Sequence, residues 1–187
     1  QNRNSFIDEI QSHPVIKHVS SGDIYFGNDP SMNSAYFETP ENVNFFHTSL
    51  FRVDAEFKNT FHLEMREGRF FDENRQSDEN AVVINETAMK EYSGDGSLIG
   101  KEILVSDNVF HIIGIVKDFN FRSLYYPIQP LVIFNARNQG NVFVKFTQDQ
   151  APEVIEILKK QWEKFNLSRP FTYTFHDEVL AKRYEKD

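Results

Sequence analysis

The reading turns on three pieces of one stretch, RVDAEFKNTFHLEMREGRFF (52–71), AVVINETAMKEYSGDGSLIGKEILV (81–105) and FHIIGIVKDFNFRSLYY (110–126). Asp54 stands where a carboxylate accepts the backbone N–H groups of a first helical turn. The following residues set Phe57 and Phe61 on one helical face, and Gly68 is expected to stop that helical region. DENRQSDEN (72–80) reads as a solvated charged loop and a subdomain boundary. Ala81–Ile84 is a short apolar strand, after which Asn85 caps a helix running from Glu86 to about Tyr92. Ser93–Ser97 is a turn. Lys101–Val105 and Val109–Val116 form a β-hairpin about Ser106-Asp107-Asn108. Gly114 inside the second of these strands marks a bulge or a close packing contact.

Outward from this centre, Phe6, Ile7 and Ile10 share a helical face that ends before Pro14, and Val15–Ser20 is a short strand. Residues 27–44, rich in Gly, Asn, Pro and Ser, read as a loop or irregular hairpin. Asn44–Val53 is a strand. Beyond the centre, Pro127 and Pro130 bracket a connection to a strand at Leu131–Phe134, and a loop from Asn135 leads to an alternating strand at Asn141–Phe146. APEVIEILKKQWEKF (151–165) is the clearest helix: Pro152 suits its first turn, and Val154, Ile155, Leu158, Trp162 and Phe165 form one apolar stripe. Phe171–Phe175 alternates as a strand, and Asp177–Lys186 is a polar helical tail. The fold class expected is α+β. A discontinuous α/β subdomain (1–70 plus 131–187), with helices on a small mixed sheet, is interrupted by a smaller β-rich insert (71–130).

The chain of 187 residues is long enough to bury a core. Its net charge of −8 opposes nucleic-acid binding and offers no polybasic handle for anionic lipid. No apolar run approaches the ~20 residues that span a bilayer, and the polar opening Gln1–Asn4 does not read as a signal peptide. There are no cysteines, which removes disulfides and thiol chemistry. No catalytic, cofactor-binding or metal-ligating residue emerges. His13 and His18, the nearest histidine pair, straddle Pro14 and lack the spacing of about three or four residues that a helical zinc site uses. The carboxylate doublets at 8–9, 72–73, 78–79 and 177–178 read as solvated faces or helix caps. Gly-x-Ser-x-Gly and Walker motifs are absent; were an ATPase to power this protein, it would lie elsewhere. Asn85-Glu86-Thr87 admits a ligand contact, but capping and dipole complementation account for it.

The turn Phe119-Asn120-Phe121 with Tyr125-Tyr126 has two readings. On a strand, a Phe-x-Phe pair points both rings to one face. That face either closes the insert's own core or docks a partner subunit or accessory protein. The doublets Phe45-Phe46 and Phe70-Phe71 share the ambiguity, and in each one ring points outward unless the sheet is covered on both sides.

Five elements in one order resemble the extracytoplasmic domain of the MacB/FtsX-type ABC transporter permeases. They are Val53-Asp54, Glu67-Gly-Arg-Phe-Phe71, Ile84-Asn-Glu-Thr-Ala88, Ile99-Gly-Lys101 and the run from Ile112 to Phe121. The resemblance implies a chain cut between two membrane helices, on the periplasmic side of the bacterial inner membrane. It implies a non-catalytic domain whose partners are its own transmembrane helices and a nucleotide-binding ATPase, in a homodimer or heterodimer, with a periplasmic accessory protein as a further partner. In such a permease, ATP-driven motion passes up stiff helices into the domain and works on a periplasmic substrate or partner. The expected signature is two chain ends close together on one face, with helical stalks near residues 6 and 180. The other reading is a free-standing module that binds a peptide, lipid or glycan, which calls for a well-formed cavity lined by inward-pointing rings.

Overall fold

A computed structural model describes residues 2–24, 32–39, 42–93, 96–105, 108–121, 127–137, 140–165 and 170–178. Its elements run α1 (Asn2–Gln11), β1 (Ile16–Gly22), β2 (Met32–Thr39), β3 (Asn42–Val53), α2 (Phe57–Phe61), β4 (Met65–Gly68), β5 (Ala81–Asn85), α3 (Glu86–Ser93), β6 (Glu102–Val105), β7 (Asn108–Val116), β8 (Leu131–Asn135), β9 (Asn141–Phe146) and α4 (Ala151–Lys164). A 3-10 turn at Gln76–Asn80 leads into β5, and another at Gln148–Gln150 leads into α4.

Seven strands form a mixed sheet in the order β4-β7-β5-β8-β3-β2-β6. β6 also pairs with β7, so the run from β7 to β6 closes on itself. Apolar runs such as AVVI and LVIF follow from burial on both sides, since a strand covered on two faces has no polar face to alternate. Val82, Ile84, Val132 and Phe134 pack with Ile112, Ile115 and the α3 residues Ala88, Met89 and Tyr92. Their neighbours Ala81, Val83, Leu131 and Ile133 pack on the other face with Phe51, Phe57, Phe70, Phe71 and Phe121. Phe70 and Phe71 lie past the end of β4, off any strand, and both rings are buried in this same core.

A smaller second layer is built from the two ends of the described chain. β1 pairs antiparallel with β9. Phe6, Ile10, Ile16, Val19 and Val154 make a separate core there, against which Leu158, Trp162 and Phe165 pack. The Phe6 ring meets Trp162 edge-on at 5.5 Å, and Glu9 accepts a bond from Lys164 Nζ at 3.0 Å, so the first helix lies against α4. Within the seven-stranded sheet, β5, β6 and β7 hydrogen-bond to β8, β2 and β4. One core joins residues of 6–19 with residues of 142–165; the other two join residues of 50–134, with Ile24 and Phe143 belonging to one of them.

Four local expectations need correction. Within 27–44 the hairpin alternative holds but is regular, with residues 32–39 a strand paired from Met32↔Ser49 to Thr39↔Asn42. Its mixed sequence, without a lasting alternation, hid a segment whose backbone is laddered on both edges, to β3 and to β6. The helix after Asp54 stops not at Gly68 but at His62, which takes a left-handed φ of 54°; Gly68 instead ends β4. Asp54 is not the N-cap; Glu56 holds that position and makes no side-chain cap bond. Residues 72–80 are not wholly solvated, because Asp78 is buried. The Asn85 cap is as expected: its Oδ1 accepts the Ala88 N–H at 2.9 Å.

Candidate functional site

Lys117–Phe121 leaves the end of β7 and is tied down on one side by the start of α3. The Asp118 carboxylate accepts the Thr87 N–H and hydroxyl, each at 2.9 Å. Glu86 Oε2 accepts the Asp118 N–H at 3.1 Å, and Arg66 reaches Glu86 Oε1 at 3.1 Å. That backbone donor, with Arg66 beyond it, holds the Glu86 carboxyl below the usual carboxylate range. Asn85 Oδ1 also accepts the Leu131 N–H at 2.9 Å, and its Nδ2 donates to the Gln129 carbonyl at 3.0 Å. Asn85-Glu86-Thr87 therefore fastens three segments together through helix-end chemistry, which is the structural reading of this motif.

Of the candidate interaction residues, Phe121 is only 4% exposed and packs edge-on against Phe51 at 5.2 Å. Phe119 is half-buried, 5.6 Å from Phe121, and leans on the same core. Asn120 is exposed. Tyr125 and Tyr126 lie outside the described residues. Phe119 and Asn120 do border a cleft of about 320 Å³, whose other walls include Phe61, His62, Glu64, Lys117 and His176. Lys117 and Glu64 form an exposed ion pair there, with Nζ 2.5 Å from Oε2. Burial pushes the His176 imidazole down, against the opposing pull of Asp177. Sequence reasoning missed this cleft because its walls come from the end of α2 and the residues just after it, the β7 exit and the C-terminal segment, which no local pattern joins.

No group of three potential metal ligands occurs among the described residues. The strongest carboxyl perturbation lies at Asp54, where β3 meets β1. Asp54 Oδ2 accepts the Ser21 N–H, and the Ser21 hydroxyl at 2.8 Å. The Asp54 N–H donates to the Ser21 carbonyl at 3.0 Å, and the Asp23 N–H to the Arg52 carbonyl at 2.8 Å. These bonds join the terminal layer to the large sheet. Burial pushes the Asp54 carboxyl up to about 6, with Glu73 adding to the rise and the Ser21 bonds opposing it. Below about pH 4 the carboxyl is protonated in both the folded and unfolded states. Between about pH 4 and 6 only the unfolded state releases its proton, so this residue's contribution to stability falls as pH rises. A shift of this size corresponds to an upper figure of about 3 kcal/mol. The stability of Asp54→Asn minus that of the wild type should therefore grow between pH 4 and 7, approaching that figure. Parallel denaturation profiles across this window would refute the assignment.

The MacB-like periplasmic core domain family model matches residues 4–161. Among solved structures, the chain is similar to the periplasmic region of MacB from Actinobacillus actinomycetemcomitans. That match has a TM-score of 0.70 and 16% identity over 98% of this chain and 83% of that one. It is also similar to the extracellular domain of the ABC-type transporter YknZ from Gram-positive bacteria. There the TM-score is 0.65 and the identity 14%, over 87% of this chain and 83% of the other. Comparison with curated protein sequences finds no match. No helix among the described residues is long and apolar enough to cross a membrane. With a family match over most of its length and the fold of two transporter domains, the chain belongs to the MacB-like periplasmic core domain family.

Proposed function

We propose that this domain is a non-catalytic mechanical element of an ABC transporter permease on the periplasmic side of the bacterial inner membrane. A separate nucleotide-binding ATPase drives paired copies of the permease, and the domain passes the resulting motion to a periplasmic substrate or partner. One observation carries the reading: α1, β1, β9 and α4 share a core of their own, which buried hydrogen bonds about Asp54 and Ser21 fasten to the large sheet. A displacement of the first helix is then shared by α4 and delivered through β1 to β3, because close-packed interiors transmit strain instead of absorbing it. Asn120 and the half-buried Phe119, at the rim of the cleft, are the proposed contact for an accessory protein. A free-standing ligand-binding module would use the same cleft, with His62, Lys117 and His176 as its polar groups.

This chain has no cysteine, so the test needs only the cysteines elsewhere in the transporter replaced. Spin labels at Glu153→Cys on α4 or Val109→Cys on β7, one per copy in the full-length transporter with its ATPase, report distances between copies. Both distances should change together when ATP is added. Unchanged distances while labelled membrane helices move would remove the coupling role and leave the ligand-binding reading.

A further inference from the structure

The segment Phe171-Thr172-Tyr173-Thr174-Phe175 reads the same in both directions. The alternation predicts a strand, and the segment lies outside every ladder of the described sheets. Among the described residues, none of its backbone groups makes a hydrogen bond. Its aromatic rings continue a ladder from α4: Trp162 to Phe171 at 5.9 Å, Phe171 to Tyr173 at 5.8 Å, and Tyr173 to Phe175 at 5.7 Å. Tyr173 is 53% exposed, the most open large hydrophobic side chain among the described residues. A bare strand edge is a template for another strand.

We infer that Phe171–Phe175 is a self-pairing edge at which two copies of this chain meet antiparallel about a two-fold axis through Tyr173. A two-fold contact must be self-complementary, since each residue meets its counterpart across the axis. The palindrome meets that condition. Tyr173 faces Tyr173, Thr172 faces Thr174, and Phe171 faces Phe175, which are the aromatic and threonine cross-strand pairs that stabilise antiparallel ladders. The five paired residues carry no charge, so two chains of net charge −8 meet where neither repels the other.

Such a contact is small. It falls well short of the 1,200–2,000 Å² that stable interfaces typically bury, so free chains associate weakly and the pairing takes effect when two copies are held side by side. The inference needs no particular transporter mechanism, and its test uses the 187-residue chain alone.

Residues directly opposed in an antiparallel ladder bring their Cα atoms about 4.5–5.5 Å apart, within disulfide reach. In a chain without native cysteine, Tyr173→Cys at high protein concentration under mild oxidation should form a disulfide-linked dimer, several-fold faster than Thr172→Cys. Thr172→Cys mixed with Thr174→Cys should cross-link to each other faster than either does to itself. Adding Thr174→Pro, which removes a ladder donor, to the Tyr173→Cys chain should abolish its excess. Equal cross-linking at positions 172, 173 and 153 would mean random collision and would overturn the inference, as would no dimer from a folded Tyr173→Cys chain. Where circular dichroism shows that Tyr173→Cys does not fold, the mixed 172/174 pair decides alone.

Discussion

Gly114→Ala is expected to lower the stability of this domain by at least about 3 kcal/mol, a Tm drop of roughly 10 °C for a chain of this size. A Cβ at position 114 would lie 2.1 Å from the Arg69 carbonyl oxygen and 2.8 Å from Met65 Cε. The methionine can swing away, but the carbonyl is backbone and cannot. β7 at this point runs between β4 and β5, with Gly68 paired to Gly114 on one side and Val83 on the other. A retreat of β7 from β4 would therefore strain its ladder to β5. The opposing Gly68 adds the same constraint, since its φ is +67° and a Cβ there would lie 2.3 Å from the Ile113 carbonyl oxygen. Two glycines from distant parts of the sequence thus allow two backbones to touch. Urea denaturation of Gly114→Ala beside Gly100→Ala makes the comparison. Gly100 also has a positive φ, of +79°, but a Cβ there meets nothing within 4 Å, so its loss should be confined to backbone strain. Equal losses in the two variants would show that close approach is not what fixes glycine at 114.

The same site shows what the sequence made legible and what it did not. Gly114 stands out as a glycine in an apolar strand, and a bulge or close contact follows from that alone. The structure supplies both, a register shift beside Val83 and the Arg69 carbonyl. The partner at Gly68 was not visible, because its role depends on a strand 46 residues earlier arriving in register. Local signals with local causes were readable: the Asn85 cap, the 102–116 hairpin, the α4 stripe and the Phe57–Phe61 pair, whose rings sit 4.4 Å apart. The β2 strand was not, since its sequence has no lasting alternation and reports nothing of the backbone ladders on its two edges. Asp54 looked like a helix cap because cap residues and buried clamp residues are the same residue types, and only Ser21, 33 positions away, distinguishes them. The cleft beside Phe119 and Asn120 needed three chain segments to converge, so only the aromatic side of it could be anticipated.

Asp78 was hidden for the same reason, inside a run of charges that reads as solvated, and it carries the second large expectation. Its carboxylate is buried and accepts the Arg69 fork at 2.6 and 2.7 Å, together with the Asp72 N–H at 2.9 Å. The bonds from Arg69 hold the Asp78 carboxyl below its usual range. Arg69→Met keeps most of the aliphatic volume but strands the carboxylate, and should cost about 3–5 kcal/mol at neutral pH. Asp78 helps to fix the chain just before β5, whose strand is central to the sheet, so the loss should appear as reduced global stability. Arg69→Met combined with Asp78→Asn should be milder than Arg69→Met alone, because the amide retains an acceptor for Asp72 without a buried charge. The pH dependence has a definite sign. In the wild type the folded carboxyl titrates below its unfolded value near 3.8, so its contribution is complete above that value and disappears as pH falls through the folded one. In Arg69→Met the lone carboxyl titrates above the unfolded value, so its penalty is complete at neutral pH and is relieved on acidification. The stability gap between wild type and Arg69→Met should therefore narrow as pH is lowered from 7 to 4. A gap that stays constant over this range would show that Asp78 is not held as a charged partner of Arg69, and that the variant's loss is one of packing.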